Sequence, residues 1–382
     1  MKTQTMQSFG MNKELQKKEA RELFNNLETP LLKYGQGIQV LLKELDLNQV
    51  IAKVNEEERM TIEAPQGVII RSIQELNQEE LETYTSLISA TENKFLALHF
   101  AILDDWKIII IPRDMTVKGP IIITSHISKK AKAESIIVIA EVNAKAEIIE
   151  RSSSTEEAYY KSQTVQIFAK ENAHIMFSSI QELSPETYNF VIKRGKVEAN
   201  ANITWLDATL GSKYTHLRVQ THLTSLHANT ENYSLYFNQG KQIFDLNTES
   251  LHKTRQTNSN MLCKGVITEN ARTIYQGRIL IEKDSKNCKA KQKSENLLID
   301  EHARCDAVPI LEVENDEVQC SHGATIGKLN EENIFYFTAR GIEENIAKQM
   351  IIAGFLEPII NKFPTEEIQE HIRKNITERI TK

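Results

Sequence analysis

A mainly β chain with a solenoid core and helical segments at both ends is predicted by three observations. Short β-branched runs fill the middle of the sequence, and helical periodicity is confined to its ends. Polar-Ala elements also recur through the β part at spacings near one solenoid coil. The chain has 382 residues, with only 14 Gly and 8 Pro. Both residue types fall at about half their usual ~7% and ~5%, which disfavours a fold built on many Gly-Pro turns.

Residues 1–92 read as a mostly helical N-terminal region. Leu15, Leu23, Phe24 and Leu27 recur at helical spacing among Lys, Glu and Gln, up to Thr29-Pro30. A second run, with Ile38, Leu41, Leu42 and Leu45, and a third over 78–88 also read as helices. Their apolar faces are expected to pack against one another, and no catalytic motif accompanies them.

The pattern changes near Phe95, so residues 93–326 are assigned to the β core. Runs such as Ile108-Ile109-Ile110-Ile111, Ser135-Ile136-Ile137-Val138-Ile139 and Arg278-Ile279-Leu280-Ile281 are rich in residues that favour a pleated surface. No helix-length periodic stretch separates them, so βαβ units are not expected. Asn143-Ala144, Asn172-Ala173, Glu198-Ala199-Asn200-Ala201, Asn270-Ala271 and His302-Ala303 precede strands at separations mostly on the order of 25 to 35 residues. Small residues there let coils stack, and Asn can take the left-handed conformation that otherwise calls for Gly. A β-sandwich is the alternative architecture for the same runs.

Residues 327–382 return to helix. Ile342, Ile346 and Met350 make an i, i+4 stripe with Ala347 and Ile351 beside it, and Pro358 is expected to interrupt the run. A final helix should start after Pro364, with Glu366 and Glu367 in its first turn and a stripe of Ile368, Ile372, Ile376 and Ile380. Such a stripe must dock on this chain or on a partner.

Composition removes several function classes. Acids outnumber bases by 52 to 46, giving a net charge of −6, which is not the basic footprint of a nucleic-acid binder. No segment offers the roughly 18 apolar residues of a membrane span. The N-terminus lacks the apolar stretch of a secretory signal, so a cytoplasmic location with reduced thiols is the expectation. The four cysteines, Cys263, Cys288, Cys305 and Cys320, contain no C-x-x-C pair. A self-contained zinc ribbon or bacterial ferredoxin site is therefore excluded. No P-loop, dinucleotide fingerprint, H-E-x-x-H or G-x-S-x-G motif occurs. Nothing in the sequence forms a self-sufficient active site, which argues for a partner-dependent role.

The segment Cys320-Ser321-His322-Gly323-Ala324-Thr325 ends the β region. On a strand, Cys320 and His322 point to one face. A thiolate and an imidazole there make half of a soft-metal site. The bland reading is a buried Cys beside a hydrogen-bonded His, and a third is a Cys–His nucleophile pair that lacks an orienting acid. His216, His222, His227 and His252 match no metal spacing and read as polar positions on a solenoid face. Cys263, Cys288 and Cys305 read as packing residues or surface thiols.

The stretch from about Leu297 to Phe355 resembles the SufB/SufD family of iron–sulfur cluster assembly proteins. The resemblance rests on Asn296-Leu297-Leu298-Ile299, Asp306, Pro309, Leu311-Glu312-Val313 and Cys320-Ser321-His322-Gly323-Ala324-Thr325-Ile326-Gly327. It continues through Phe335-Tyr336-Phe337-Thr338-Ala339-Arg340-Gly341-Ile342 and Ala353-Gly354-Phe355, and Tyr275-Gln276-Gly277-Arg278-Ile279 adds a weaker match. The Cys-x-His pair looks like the SufD branch. Ala339 stands where the family often has Ser, and the stretch before Leu297 is unusually rich in lysine; neither touches the pair.

That resemblance implies a right-handed parallel β-helix between an N-terminal helical region and a C-terminal helical domain. It implies a non-catalytic subunit that pairs with a SufB-like subunit and carries a SufC-type ATPase on its C-terminal helices, with no nucleotide of its own. His322, with Cys320 beside it, would bind transient iron or a nascent cluster shared with the partner. Arg340, Gly341, Ile342, Ile346, Met350 and Phe355 would form the partner-binding surface. A homodimer is the alternative for the isolated chain. Two further functions are weighed: a purely structural subunit without a metal role, and a β-helix carbohydrate-active enzyme, for which no paired-carboxylate signature is found.

Overall fold

The computed structural model describes residues 13–28, 32–34, 38–40, 45–52, 54, 59–128 and 130–380. The chain opens with α1 (Lys13–Asn26), β1 (Leu32–Tyr34), β2 (Ile38–Val40) and α2 (Leu47–Ala52). Next come β3 (Thr61–Glu63), β4 (Ile69–Ser72), α3 (Gln78–Tyr84) and α4 (Lys94–Ile102). The run at Ile38, expected as a helix, is instead a strand paired antiparallel with β1. Ile38-Gln39-Val40 is β-branched at alternate positions, and that two-residue period prevails locally. Leu41 and Leu42 lie outside the described residues.

A second correction concerns Phe95, which starts a helix rather than the strands. Asn93 caps α4 by accepting from the Leu96 amide at 3.0 Å. Residues 95–102 are all buried, because α4 lies between α1 and the sheet beneath. An apolar helix without a polar face leaves no amphipathic period to read. Its Phe95 ring stacks on Phe190 at 4.4 Å.

The core is a solenoid of two parallel sheets. One holds β5 (Asp105–Ile111), β7 (Lys130–Ala140), β9 (Ala158–Ala169), β11 (Tyr188–Val197), β13 (Tyr214–Leu223), β15 (Ile243–His252), β17 (Arg272–Ile281) and β19 (Arg304–Val313). The other holds β6 (Ile121–Ile127), β8 (Lys145–Ser154), β10 (His174–Glu182), β12 (Asn202–Thr209), β14 (Asn229–Asn238), β16 (Asn258–Ile267), β18 (Lys289–Leu298) and β20 (Gln319–Lys328). Each coil contributes one strand to each sheet. The register advances by 26 residues from Tyr188 to Tyr214 and by 32 from Arg272 to Arg304. Varying corner loops account for that spread, and it is why the sequence repeat is irregular.

One corner of the solenoid explains the scarcity of glycine. Asp114, Asn143, Asn172, Asn200, His227, Gln256 and Asn287 all take positive φ, between 56° and 62°. Each precedes an even-numbered strand. The Asn172 side chain donates to Asn143 Oδ1 at 2.9 Å, and Asn143 donates to Asp114 Oδ1 at 2.5 Å. Ala144, Ala173, Ala201 and Ala228 follow directly and are fully buried. In the element Asn270-Ala271 it is Glu269, not Asn270, that takes the left-handed conformation.

The two ends of the solenoid differ. At the first coil, β3 pairs antiparallel with β6 and β4 with β5. At the last coil, β19 and β20 are the terminal strands of their sheets.

The chain closes with α5 (Glu331–Thr338), α6 (Glu344–Ile360) and α7 (Glu366–Ile380). α6 runs through Pro358, which does not interrupt it as expected. Pro358 removes one bond, to the Gly354 carbonyl, while the Asn361 amide still donates to Glu357 O at 3.0 Å and closes the last turn. Ile368, Ile372 and Ile376 of α7 pack with Ile352, Leu356 and Ile359 of α6 against Leu206, Leu235 and Val266 of the even-strand sheet. The isoleucine stripe thus docks on this chain.

Candidate functional site

Alternation along β20 turns Cys320 and His322 to the inside of the solenoid, in register with Ala290 and Gln292 of β18. Cys320 is half-buried and packs with Cys288, Ala290, Ile279 and Ile281. His322 is exposed, because no further coil among the described residues covers it. Beneath it, Gln292 is buried, and neither amide atom has a hydrogen-bond partner among the described residues. Gly277 faces Gln292 from the other sheet, and a Cβ there would collide with the amide. The layer beneath His322 therefore holds an unspent donor and acceptor. The sequence reading missed Gln292; the signal was its place one coil before His322.

Among the described residues, no three His, Cys, Asp or Glu side chains come together as a cation would need. Cys320 and His322 thus have no third such side chain beside them at the last coil. The other thiols are interior. Burial pushes the Cys305 thiol up to about 12 and Cys263 higher still. Tyr236 lies between coils, donating to Asn296 Oδ1 at 2.5 Å and 3.6 Å from Cys305 Sγ. Both thiols are therefore protonated packing groups, with little nucleophilic character.

The histidines sort differently from expectation. His252 is inside the solenoid, held by Thr257 and Ser259 at 2.8 Å each. His216 is on the outer face, 2.7 Å from Asp245. The interior also holds charges that periodicity hid. Lys193 binds Ser179 Oγ at 2.6 Å and pairs with Asp207, and Lys161 lies 3.5 Å from Glu150. Burial raises the Asp207 carboxyl against the pull of Lys193. Glu150 is held low despite burial, because Lys161 and Lys193 face it.

The residues assigned to partner binding lie on the C-terminal segment. Ile346 and Met350 are each 47% exposed on α6, and Ile342 is half-buried. Gly341 takes a φ of +81° at the end of the preceding turn, a conformation that favours glycine. Arg340 stacks on the Tyr336 ring at 3.5 Å. Phe355 instead packs on this chain's own sheet, under Lys264 at 4.3 Å.

The site thus sits on a parallel solenoid with antiparallel strands β3 and β4 at its first coil, an inward Cys-x-His pair at its last, and helices folded back on one face. Comparison with known proteins makes this specific. The family model for the SUF system FeS cluster assembly, SufBD core domain, matches residues 122–355. The chain belongs to the SufBD family. An iron-sulfur cluster assembly SufBD family protein of Staphylococcus epidermidis is 29% identical over 294 residues, covering 75% of this chain and 63% of that protein. A Staphylococcus aureus protein of the same description is 29% identical over 308 residues, covering 78% and 66%. The matched stretch thus spans less than two thirds of these relatives' length.

Proposed function

We propose that this chain is a SufD-like scaffold subunit in iron–sulfur cluster assembly, joined end-on to a SufB-like subunit. The observation that carries this reading is the asymmetry of the solenoid. Long uncovered edge strands invite pairing with another chain, and proteins normally cap them. The first coil is capped by β3 and β4, whereas no strand among the described residues pairs with the far edges of β19 and β20. His322 opens at that edge with too few neighbours to hold iron alone. A partner strand would bring the missing ligands, and parting of the two subunits would release the cargo.

In this reading iron or a nascent cluster is the cargo, and His322 is its ligand with Cys320 as accessory thiol. The chain works in the cytoplasm without catalysis or nucleotide of its own. A SufC-type ATPase docks on α5 and α6, where Phe335 is 71% exposed and Met350 is 47% exposed. His322→Ala should leave folding and the complex intact while abolishing cluster assembly, followed by iron content and visible absorption. Full assembly with that variant overturns the metal role. Met350→Asp should separate the ATPase without disturbing the SufB-like contact; that result beside a silent His322→Ala would favour a purely structural subunit.

A further inference from the structure

An ion network crosses the outer face of the odd-strand sheet and ends at its open edge. Arg194, Gln220, Glu249 and Arg278 occupy one row across β11, β13, β15 and β17. Glu249 is held from both sides. Arg218 and Gln220 reach it from the preceding coil at 2.7 and 2.8 Å, and Arg278 from the following one at 3.6 Å. Arg278 then turns outward and grips Glu312 of β19 through two bonds, at 3.1 and 2.7 Å. Glu312 is the last member of this network. Its inner side is filled by Arg278, while its outer side faces the free edge, and its side chain is 46% exposed.

The neighbours of Glu312 show what would fit there. Val308 and Ile310 form a half-buried apolar centre on the outer face of β19, and Arg304 stands at its opposite end. Pro309 is also on this strand. The amides of Arg304 and Glu314 donate inward to β17, so alternate residues including Pro309 have their backbone nitrogens toward the free edge. A proline is tolerated there because no ladder bond of this chain is lost. An incoming strand would meet a carboxylate that Arg278 holds through both oxygens from the inner side and that stays 46% exposed on the outer one. A second acid there would be repelled, and a cation would continue the alternation.

We propose that the SufB-like subunit's edge strand sets a lysine or arginine beside Glu312, and that this pair selects partner and register. The proposal rests on the subunit reading above. It assigns Glu312 a role in specificity, separate from any cargo held at His322.

The test uses the full chain and its SufB-like subunit, with calorimetric binding at low and high salt. Glu312→Gln should weaken binding about tenfold and flatten its salt dependence, and Glu312→Lys about a hundredfold. Reversing one basic residue of the partner's edge strand to Glu should restore binding to the Lys variant. Unchanged affinity in both variants, or a loss that no partner reversal restores, overturns the inference while the subunit reading stands. An effect on self-association alone also overturns it. Failure of the unaltered chain to bind overturns the subunit reading, and this inference with it.

Discussion

Gln292 of β18 lies beside His322 of β20 on the inward face of the solenoid, and its amide is unpaired among the described residues. A buried amide without a partner costs about 1–3 kcal/mol. Gln292→Leu should therefore raise the stability of the isolated chain by about 1 kcal/mol in urea unfolding. In the proposed reading the same change should also weaken retention of added ferrous iron, because it removes an unspent amide beside His322 that a loaded imidazole or its cargo could bond. Gly277→Ala, which crowds that amide, should cost about 1–3 kcal/mol. Most of that loss should disappear when Gln292 is Ala.

Much of this arrangement was legible in the sequence, and the reasons are local. Ile136-Ile137-Val138-Ile139 is β-branched throughout and so favours a buried strand, and Asn-Ala at coil spacing marked the corners. Cys320 and His322 were readable as one face because strand alternation needs no tertiary information. What stayed hidden depends on partners distant in sequence. The apolar α4 has no period of its own, and nothing in the spacing of Lys193 and Asp207 shows that two sheets close around them. Pro358 misled for a different reason: it deletes a single bond, and burial of Ile359 and Ile360 against the sheet holds the last turn in place.

The corner asparagines make a stability prediction. Asn172 has a φ of 57° and donates to Asn143 at 2.9 Å. Asn172→Ala places a β-carbon in a left-handed conformation and removes that bond, for an expected loss of about 1–2 kcal/mol. Asn172→Gly keeps the backbone free and should lose clearly less. Thermal melting of both variants checks the order, and equal losses would remove the backbone argument.

Lys193 and Asp207 test the charged interior. Lys193 is 1% exposed and also lies 5.3 Å from the Phe177 ring. Lys193→Met leaves Asp207 uncompensated and should cost about 3–5 kcal/mol. Adding Asp207→Leu should return most of that stability, since an apolar pair replaces a desolvated ionic one. A urea double-mutant cycle reads this coupling directly, and additive losses would show that the pair is not coupled.

Acid should destabilise the fold through two buried histidines. His99 of α4 is clasped by Ser162 and Ser135 at 2.8 and 3.0 Å, and burial lowers its pKa to about 3. Burial lowers His252 to about 4. Both stay neutral in the folded chain, whereas the unfolded chain protonates them below about 6.5. Their folded pKa values are depressed, so full stability holds above pH ~6.5 and drains as pH falls toward 4. Each histidine then removes about 2–3 kcal/mol by pH 4.5, before most carboxylates titrate. Urea midpoints at pH 7.5, 5.5 and 4.5 should fall in that order. His99→Gln should lower stability at pH 7.5 and flatten the slope by one proton, because its amide cannot be charged. A slope unchanged by that substitution would mean that His99 takes up its proton without opening the helix–sheet contact.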